Sequence, residues 1–222
     1  LADYVTQVDT NIQNFLREKL GELAPEVEFL GEEDGLHAMK GDTFWILDPI
    51  DGTTNLVHDY QHSTVSLGLY SKGEIILGVI YDPFREEMFY AEKGKGSFVN
   101  GRPIHVAEAE NLGQTIIAIG TAPYQKELAP QNFACFQRVF EKCEDIRRTG
   151  SAAMDLAYTA AGRIGGYFEA RLQPWDFAAG MLILTEAGGK ITRYDGSEVN
   201  PVEPGGIVAT NGKLHEELRA LL

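Results

Sequence analysis

The chain has 222 residues, of which 44% are hydrophobic and 23% charged, which excludes a disordered or fibrous protein and is enough to bury a large core. Its formal net charge of −14 excludes the broad basic surface that nucleic acid requires. No apolar run reaches the roughly 18 residues needed to cross a bilayer. Two cysteines, Cys135 and Cys143, cannot build a disulfide framework or a Cys/His zinc site, so a cytoplasmic, reducing location is expected. The chain starts at Leu1 rather than methionine, which points to a natural start further upstream and leaves a targeting signal there open.

Apolar residues at Ile12, Phe15, Leu16, Leu20 and Leu23 follow a helical period, with Asp9 or Thr10 placed as the cap. "EVEFLGEE" and "DTFWILDP" follow as strands, each delivering acidic residues at one end. Val65 to Tyr70, Glu74 to Tyr81 and Glu87 to Ala91, joined by "SKGE" and "DPFREE", predict an antiparallel meander. After about Asn111 the elements alternate. "TIIAIG" reads as a strand, Glu127 to Lys142 as a helix, "SAAMDLAYTAAG" as a small-residue helix and "GGYFEA" as a strand. A helix from Trp175 to Ala187, a turn at Gly188-Gly189, a strand at "GGIVAT" and a helix from Lys213 close the chain. The expected organisation is a helix and antiparallel-sheet half, residues 1–111, and an α/β half with a mixed sheet, residues 112–222, packed as one unit.

The chemistry concentrates in "FWILDPIDGTTNLVHD". Asp48 and Asp51 repel each other unless a cation lies between them. Pro49 stiffens the corner, Gly52 permits a sharp turn, and the Ile50 carbonyl can face the same pocket. Thr53 offers a hydroxyl at the start of a short helix, Thr54 to Val57, whose free amides suit a phosphate. Glu32 and Glu33 in "GEEDG" and Asp176 in "QPWDFAAG" are further carboxylates at corners. Carboxylates without cysteine or paired histidine suit Mg²⁺. Each motif also has a plain structural reading: Asp-x-x-Asp as a capped turn, Glu-Glu as a solvated loop, Trp-Asp as an N-cap beside a core tryptophan.

In this order, "GEE", "WILDPIDGTTNLVH", "GSAAMDLAYTAAG" and "YFEARLQPWDFAAGMLILTEAGG" resemble the successive motifs of the inositol monophosphatase family over nearly the whole chain. The resemblance implies a layered α/β/α/β/α sandwich and lithium-sensitive, Mg²⁺-dependent hydrolysis of a small phosphate monoester. Inositol monophosphate is favoured over fructose 1,6-bisphosphate, histidinol phosphate or 3'-phosphoadenosine 5'-phosphate. It also implies two or three Mg²⁺ ions per site and a homodimer. A non-catalytic regulatory protein on the same fold is the competing class.

Carried over by resemblance, Glu32, Asp48, the Ile50 carbonyl and Thr53 surround one metal and its water, and Asp48, Asp51 and Asp176 surround a second. Asp9 works with Thr53, or merely caps its helix; Glu33 is structural, or supports Glu32. Gly52, Thr53 and Thr54 hold phosphate, while Asp51, Gly150, Ser151, Ala152 and Glu169 face the alcohol half. Arg171 either projects toward a second anionic group or forms a surface ion pair. His58 and His62 are expected to cap or pack. The family usually has helical sequence ahead of "DYVT", and phenylalanine where Leu56 stands.

Overall fold

The computed structural model describes residues 6–222; the segment Leu1 to Val5, to which the expectation of an upstream start attaches, lies outside the described residues. The first elements are α1 (Gln7–Leu23), β1 (Glu28–Gly31), β2 (Thr43–Asp51), α2 (Thr53–Val57), β3 (Thr64–Ser71), β4 (Glu74–Asp82), β5 (Glu87–Glu92), β6 (Ser97–Val99) and β7 (Arg102–Pro103). The strands form a seven-stranded sheet in chain order, antiparallel from β2 to β7, with β1 joining β2 in parallel. The parallel pairing is possible because the chain crosses from β1 to β2 through the Glu32–Asp34 turn and a following loop rather than a hairpin.

The second group comprises β8 (Ile116–Ile119), α3 (Ala129–Phe140), β9 (Asp145–Arg147), α4 (Ala152–Ala160), β10 (Gly166–Leu172), α5 (Pro174–Glu186), β11 (Lys190–Thr192), β12 (Gly205–Thr210) and α6 (His215–Arg219). Its five strands run in the order β11-β12-β10-β8-β9, mixed parallel and antiparallel. Helices α4 and α5 pack together between the two sheets, α1 lies against β2 outside the first, and α3 and α6 cover the second. The layers are therefore α/β/α/β/α. Because α4 and α5 are enclosed, their sequences are apolar on nearly every side; Leu156, Phe177, Ile183 and Leu184 are fully buried.

Two features fix how α5 sits. Gly68 and Gly78 face each other across β3 and β4, and α5 lies over that gap: a Cβ at Gly78 would stand 2.6 Å from the Ala179 carbonyl oxygen. Ser66 Oγ then donates to the Trp175 carbonyl at 3.1 Å, pinning the start of α5 onto β3.

Helix starts differ from the sequence reading in instructive ways. The cap of α1 is Thr6, not Asp9 or Thr10: Thr6 Oγ1 accepts from the Val8 and Asp9 amides, and the Asp9 carboxylate returns to the Thr6 amide at 2.9 Å, a capping box. Thr53 lies inside α2, whose N-cap is Gly52 in the left-handed region. Helix α3 is shorter than Glu127 to Lys142 because its first turn, Lys126–Leu128, is 3-10.

Candidate metal and phosphate site

In a regular strand, residues three apart point to opposite faces. Asp48 and Asp51 nevertheless reach one cleft, because β2 carries a bulge between them: Asp48 pairs with Ser66 and Asp51 with Thr64, three steps on one strand against two on the other. Pro49, which cannot donate to the ladder, sits in that irregular stretch. The motif is a device for changing the phase of a strand.

Asp48 is buried and its Oδ1 accepts from the Ile50 amide at 2.9 Å. Asp51 is buried and its Oδ2 accepts from Ser151 Oγ and the Ala153 amide, both at 2.6 Å, at the start of α4. Asp176, in the first turn of α5, accepts from the Gln173 amide at 2.6 Å. One oxygen from each of the three carboxylates lies within 4.8 Å of the others, the geometry of a shared cation. Glu32 stands beside Asp48, and its Oε2 is buried with no hydrogen-bond partner.

Burial, and then the neighbouring carboxylates, push Glu32 up to about 7. Burial pushes Asp51 up to about 6 against the hydrogen bonds from Ser151 and Ala153. Asp48 and Asp176 are raised well above the ordinary range by burial and by the surrounding negative charge. A carboxylate whose pKa is raised on folding favours the folded state at low pH and loses that contribution as pH rises through the folded value. In metal-free buffer, stability is therefore expected to fall between about pH 5 and 8, the window spanning these values. Mg²⁺ is expected to raise the melting temperature more at pH 8 than at pH 5, measured against EDTA. An equal shift at both would sink the cation assignment.

Asp9 is outside the cleft lining but joins the site through Thr53, whose Oγ1 reaches Asp9 Oδ1 at 3.2 Å and the Ile50 carbonyl at 3.0 Å. Asp9 thus combines the two readings open in the sequence, completing the capping box while contacting Thr53. Gly52, Thr53 and Thr54 line the cleft at the start of α2. Gly52 has φ +94°, and a Cβ there would sit 3.1 Å from the Gly150 carbonyl, so the two loops meet at glycine. Asn55 ties them, donating to the His62 and Thr149 carbonyls at 2.7 and 2.9 Å.

Gly150, Ser151, Ala152 and Glu169 line the other wall of the cleft, which encloses about 730 Å³. Glu169 accepts from the Ala122 amide at 2.7 Å and from the Tyr167 hydroxyl at 2.6 Å. Each carboxylate oxygen retains capacity for a further bond. Gly120 makes room: a Cβ there would stand 2.0 Å from Glu169 Oε2.

Glu33 gives its amide to Gln13 Oε1 at 3.3 Å. His58 is the C-cap of α2, and His62 is buried with its ring edge-on to Tyr158, so both cap or pack. Arg171 lines the cleft and makes no ion pair among the described residues, against its reading as a surface pair.

Three cleft residues escaped the sequence reading. Asp155 is buried, accepts from Thr149 Oγ1 at 2.8 Å and keeps Oδ1 unpartnered; Tyr167 holds Glu169; Arg148 donates to Thr121 Oγ1 at 3.0 Å. A lone carboxylate inside the small-residue run "GSAAMDLAY" was the available signal for Asp155. Cys135 and Cys143 are free thiols. No helix among the described residues is long and apolar enough to cross a membrane.

Fold and site together define a layered α/β sandwich with an acidic, cation-ready pocket opening between its sheets. The chain belongs to the inositol monophosphatase family, whose sequence profile matches residues 1–222. Inositol-1-monophosphatase of Rhizobium meliloti (strain 1021) is 38% identical over all of this chain and 83% of its own length. Nus factor SuhB of Escherichia coli (strain K12) is 39% identical over 98% of this chain and 82% of its own. The solved inositol monophosphatase from Anabaena (Nostoc) sp. PCC 7120 superposes with a TM-score of 0.91 at 39% identity, covering 98% of this chain and 86% of that one. SaIMPase-II, solved with inositol monophosphate bound, has a TM-score of 0.87 at 31% identity, covering 98% and 84%.

Proposed function

We propose that the protein hydrolyses a small phosphate monoester, inositol monophosphate foremost, with Mg²⁺ as cofactor at two or three ions per site. The observation that carries this reading is the Asp48, Asp51 and Asp176 cluster, which is costly to keep ionised without a cation. The donor set fits: all are hard oxygens, and the orphaned Oε2 of Glu32 and the Ile50 carbonyl extend it. A divalent cation held there supplies the positive charge that draws in a phosphate dianion and acidifies water.

The chain's own groups do the rest. Thr53 has one hydroxyl proton, directed to Asp9 or to the Ile50 carbonyl, so its lone pairs face a water and orient it toward phosphorus. Glu32, or Asp9 through Thr53, takes the proton as the water oxygen bonds to phosphorus; the ester P–O bond breaks on the Asp51 and Asp176 side, where a cation held by those carboxylates would offset the charge of the leaving oxygen until solvent protonates it to the alcohol. The Gly52, Thr53 and Thr54 amides at the start of α2 hold the phosphate oxygens as charge redistributes. Asp51, Gly150, Ser151, Ala152 and Glu169 face the alcohol, and Glu169, steadied by Tyr167 and Ala122, accepts its hydroxyl hydrogens. Residues 1–111 contribute the metal loop and residues 112–222 the alcohol wall and the last metal ligand, Asp176, of one unit, which acts in the cytoplasm as a homodimer, on the family resemblance and the general frequency of two-fold dimers.

The bound inositol monophosphate in SaIMPase-II supports the substrate class. The test is phosphate release with Mg²⁺ from inositol 1-phosphate, fructose 1,6-bisphosphate, histidinol phosphate and 3'-phosphoadenosine 5'-phosphate, with and without lithium. Release from inositol 1-phosphate well above the rest is the expected result. Thr53→Ala is expected to lower kcat about a hundredfold with KM little changed, as for loss of a proton-relay group. An unaltered kcat removes Thr53 from the mechanism. A regulatory role is the second reading, favoured by the Nus factor name of the Escherichia coli relative. Silence across the panel from folded, Mg²⁺-binding protein favours that reading or a phosphate ester outside the panel.

A further inference from the structure

Of the carboxylates gathered at the metal site, one is held differently from the rest. Asp48 receives the Ile50 amide, Asp51 the Ala153 amide and Asp176 the Gln173 amide, so each of these side chains is tied to backbone at close range. Glu32 has no such tie among the described residues: its side-chain partner is Asp48, and its Oε2 is buried with none. Where its carboxylate stands therefore depends on where its backbone stands. That backbone is a single turn, Glu32–Asp34, closed by one bond from the Gly35 amide to the Glu32 carbonyl. Gly31 before it offers no capping side chain, and residues 35–42 after it form neither helix nor strand. So short a turn does not hold itself in place.

Helix α1 supplies the hold. Asp9, Gln13 and Arg17 recur every four residues and form one stripe along the helix. Each reaches an element that carries the site: Asp9 meets Thr53, Gln13 the Glu33 amide, and Arg17 the Asp34 carboxylate. An amphipathic helix ordinarily buries its apolar stripe. In α1 the buried residues are Asp9 and Gln13, while Val8, Phe15 and Leu23 are exposed. Gln13 is the middle member of the stripe, and its Oε1 accepts from the Glu33 amide at 3.3 Å. Gly31 keeps the space for it: a Cβ there would stand 2.6 Å from Gln13 Cδ and closer still to Oε1. Gly31 has an extended backbone with φ −102°, open to any residue, so it is Gln13 and not conformation that excludes a side chain at this position.

We propose that Gln13 is the positioning residue of Glu32: by holding the Glu33 amide, its side-chain oxygen sets the Glu32–Asp34 turn so that Glu32 stands beside Asp48 as a metal ligand. The inference rests on the metal-site reading and adds a residue outside the cleft lining that governs affinity for the cation. Gln13 touches neither substrate nor metal. It acts through the one carboxylate that lacks a backbone donor of its own.

The experiment measures Mg²⁺ binding by calorimetry, and the Mg²⁺ concentration that half-saturates phosphate release. The proteins compared are the wild type, Gln13→Met, Gln13→Glu, Gln13→Ala, Gly31→Ala and the double variant of the last two. Methionine keeps the length of the side chain and loses the acceptor. Its Mg²⁺ dissociation constant is expected to rise about tenfold, as when an outer partner of a metal ligand is removed, with kcat at saturating Mg²⁺ little changed. Glutamate keeps the acceptor and adds a negative charge, so it is expected to bind Mg²⁺ at least as tightly as the wild type. Gly31→Ala is expected to weaken binding by pushing Gln13 off the amide, and to do no further harm once Gln13 is alanine. Equal weakening by methionine and glutamate would mean that Gln13 only fills space, and overturns the inference. A dissociation constant unmoved in Gln13→Met overturns it too, whatever the melting temperature in EDTA, as do additive losses in the double variant. If Gln13→Met does not accumulate as folded protein, Gly31→Ala and the double variant decide alone. A wild type that binds no Mg²⁺ rejects the metal-site reading itself, and the inference with it; a wild type that binds Mg²⁺ beside variants that bind it equally well rejects the role of Gln13 alone.

Discussion

Asp176→Asn is expected to lower phosphate release about a thousandfold or more, the several kcal/mol that a correctly held cation contributes to a transition state. The fold survives the change, because asparagine keeps an oxygen for the Gln173 amide that now bonds the carboxylate at 2.6 Å. A second readout separates lost chemistry from lost structure. In EDTA the variant is expected to melt no lower than the wild type, since one of three mutually repelling carboxylates is gone. The stabilisation by Mg²⁺, by contrast, is expected to shrink. Asp48→Asn should behave alike, with the Ile50 amide retaining its acceptor. Near-normal turnover in either purified variant would remove that carboxylate from the metal site.

Gly78→Ala tests the packing that brings Asp176 to the cleft. The added carbon would meet the Ala179 carbonyl oxygen at 2.6 Å, and neither partner is a side-chain end that can swing aside. Either β4 or α5 has to move. Overpacking of this kind costs about 1–3 kcal/mol, or roughly 3–10 °C in melting temperature for a chain of this size. Because Ala179 is within one turn of Asp176, activity is expected to fall as well, more steeply than in a variant of equal stability altered far from α5. Valine, with two further carbons aimed at the same carbonyl, is expected to prevent accumulation of folded protein. A Gly78→Ala protein melting within about 1 °C of the wild type would mean that α5 rides loosely on the sheet.

Much of the site was legible because its chemistry is local. Asp48, Pro49, Ile50 and Asp51 stand in one short run, and a pair of carboxylates beside a proline and a glycine announces a corner that needs a cation. The order of elements was readable for a similar reason, since the meander β3 to β5 has strong turn sequences and α4 and α5 have uniformly apolar ones. What the chain did not disclose depends on residues distant along it. The parallel pairing of β1 with β2 is set by where a loop returns, not by any residue in either strand. Tyr167 reads as an ordinary core aromatic until Glu169 folds against its hydroxyl. The cap of α1 was misplaced because Thr6 and Asp9 act as a reciprocal pair, whereas a single acidic residue near a helix start invites the simpler assignment. Arg171 could be placed only once β10, whose register shifts between Glu169 and Leu172, was set beside the cleft.

The grip of Ser151 and Ala153 on Asp51 spans 100 and 102 positions of the chain. During synthesis, the metal loop therefore leaves the ribosome long before the groups that orient it, and Asp176 emerges later still. Until then the early carboxylates are a loose acidic loop with little hold on a divalent ion. A cation site of this geometry is complete only when α4 and α5 have settled between the sheets, so it cannot stabilise an unfinished chain.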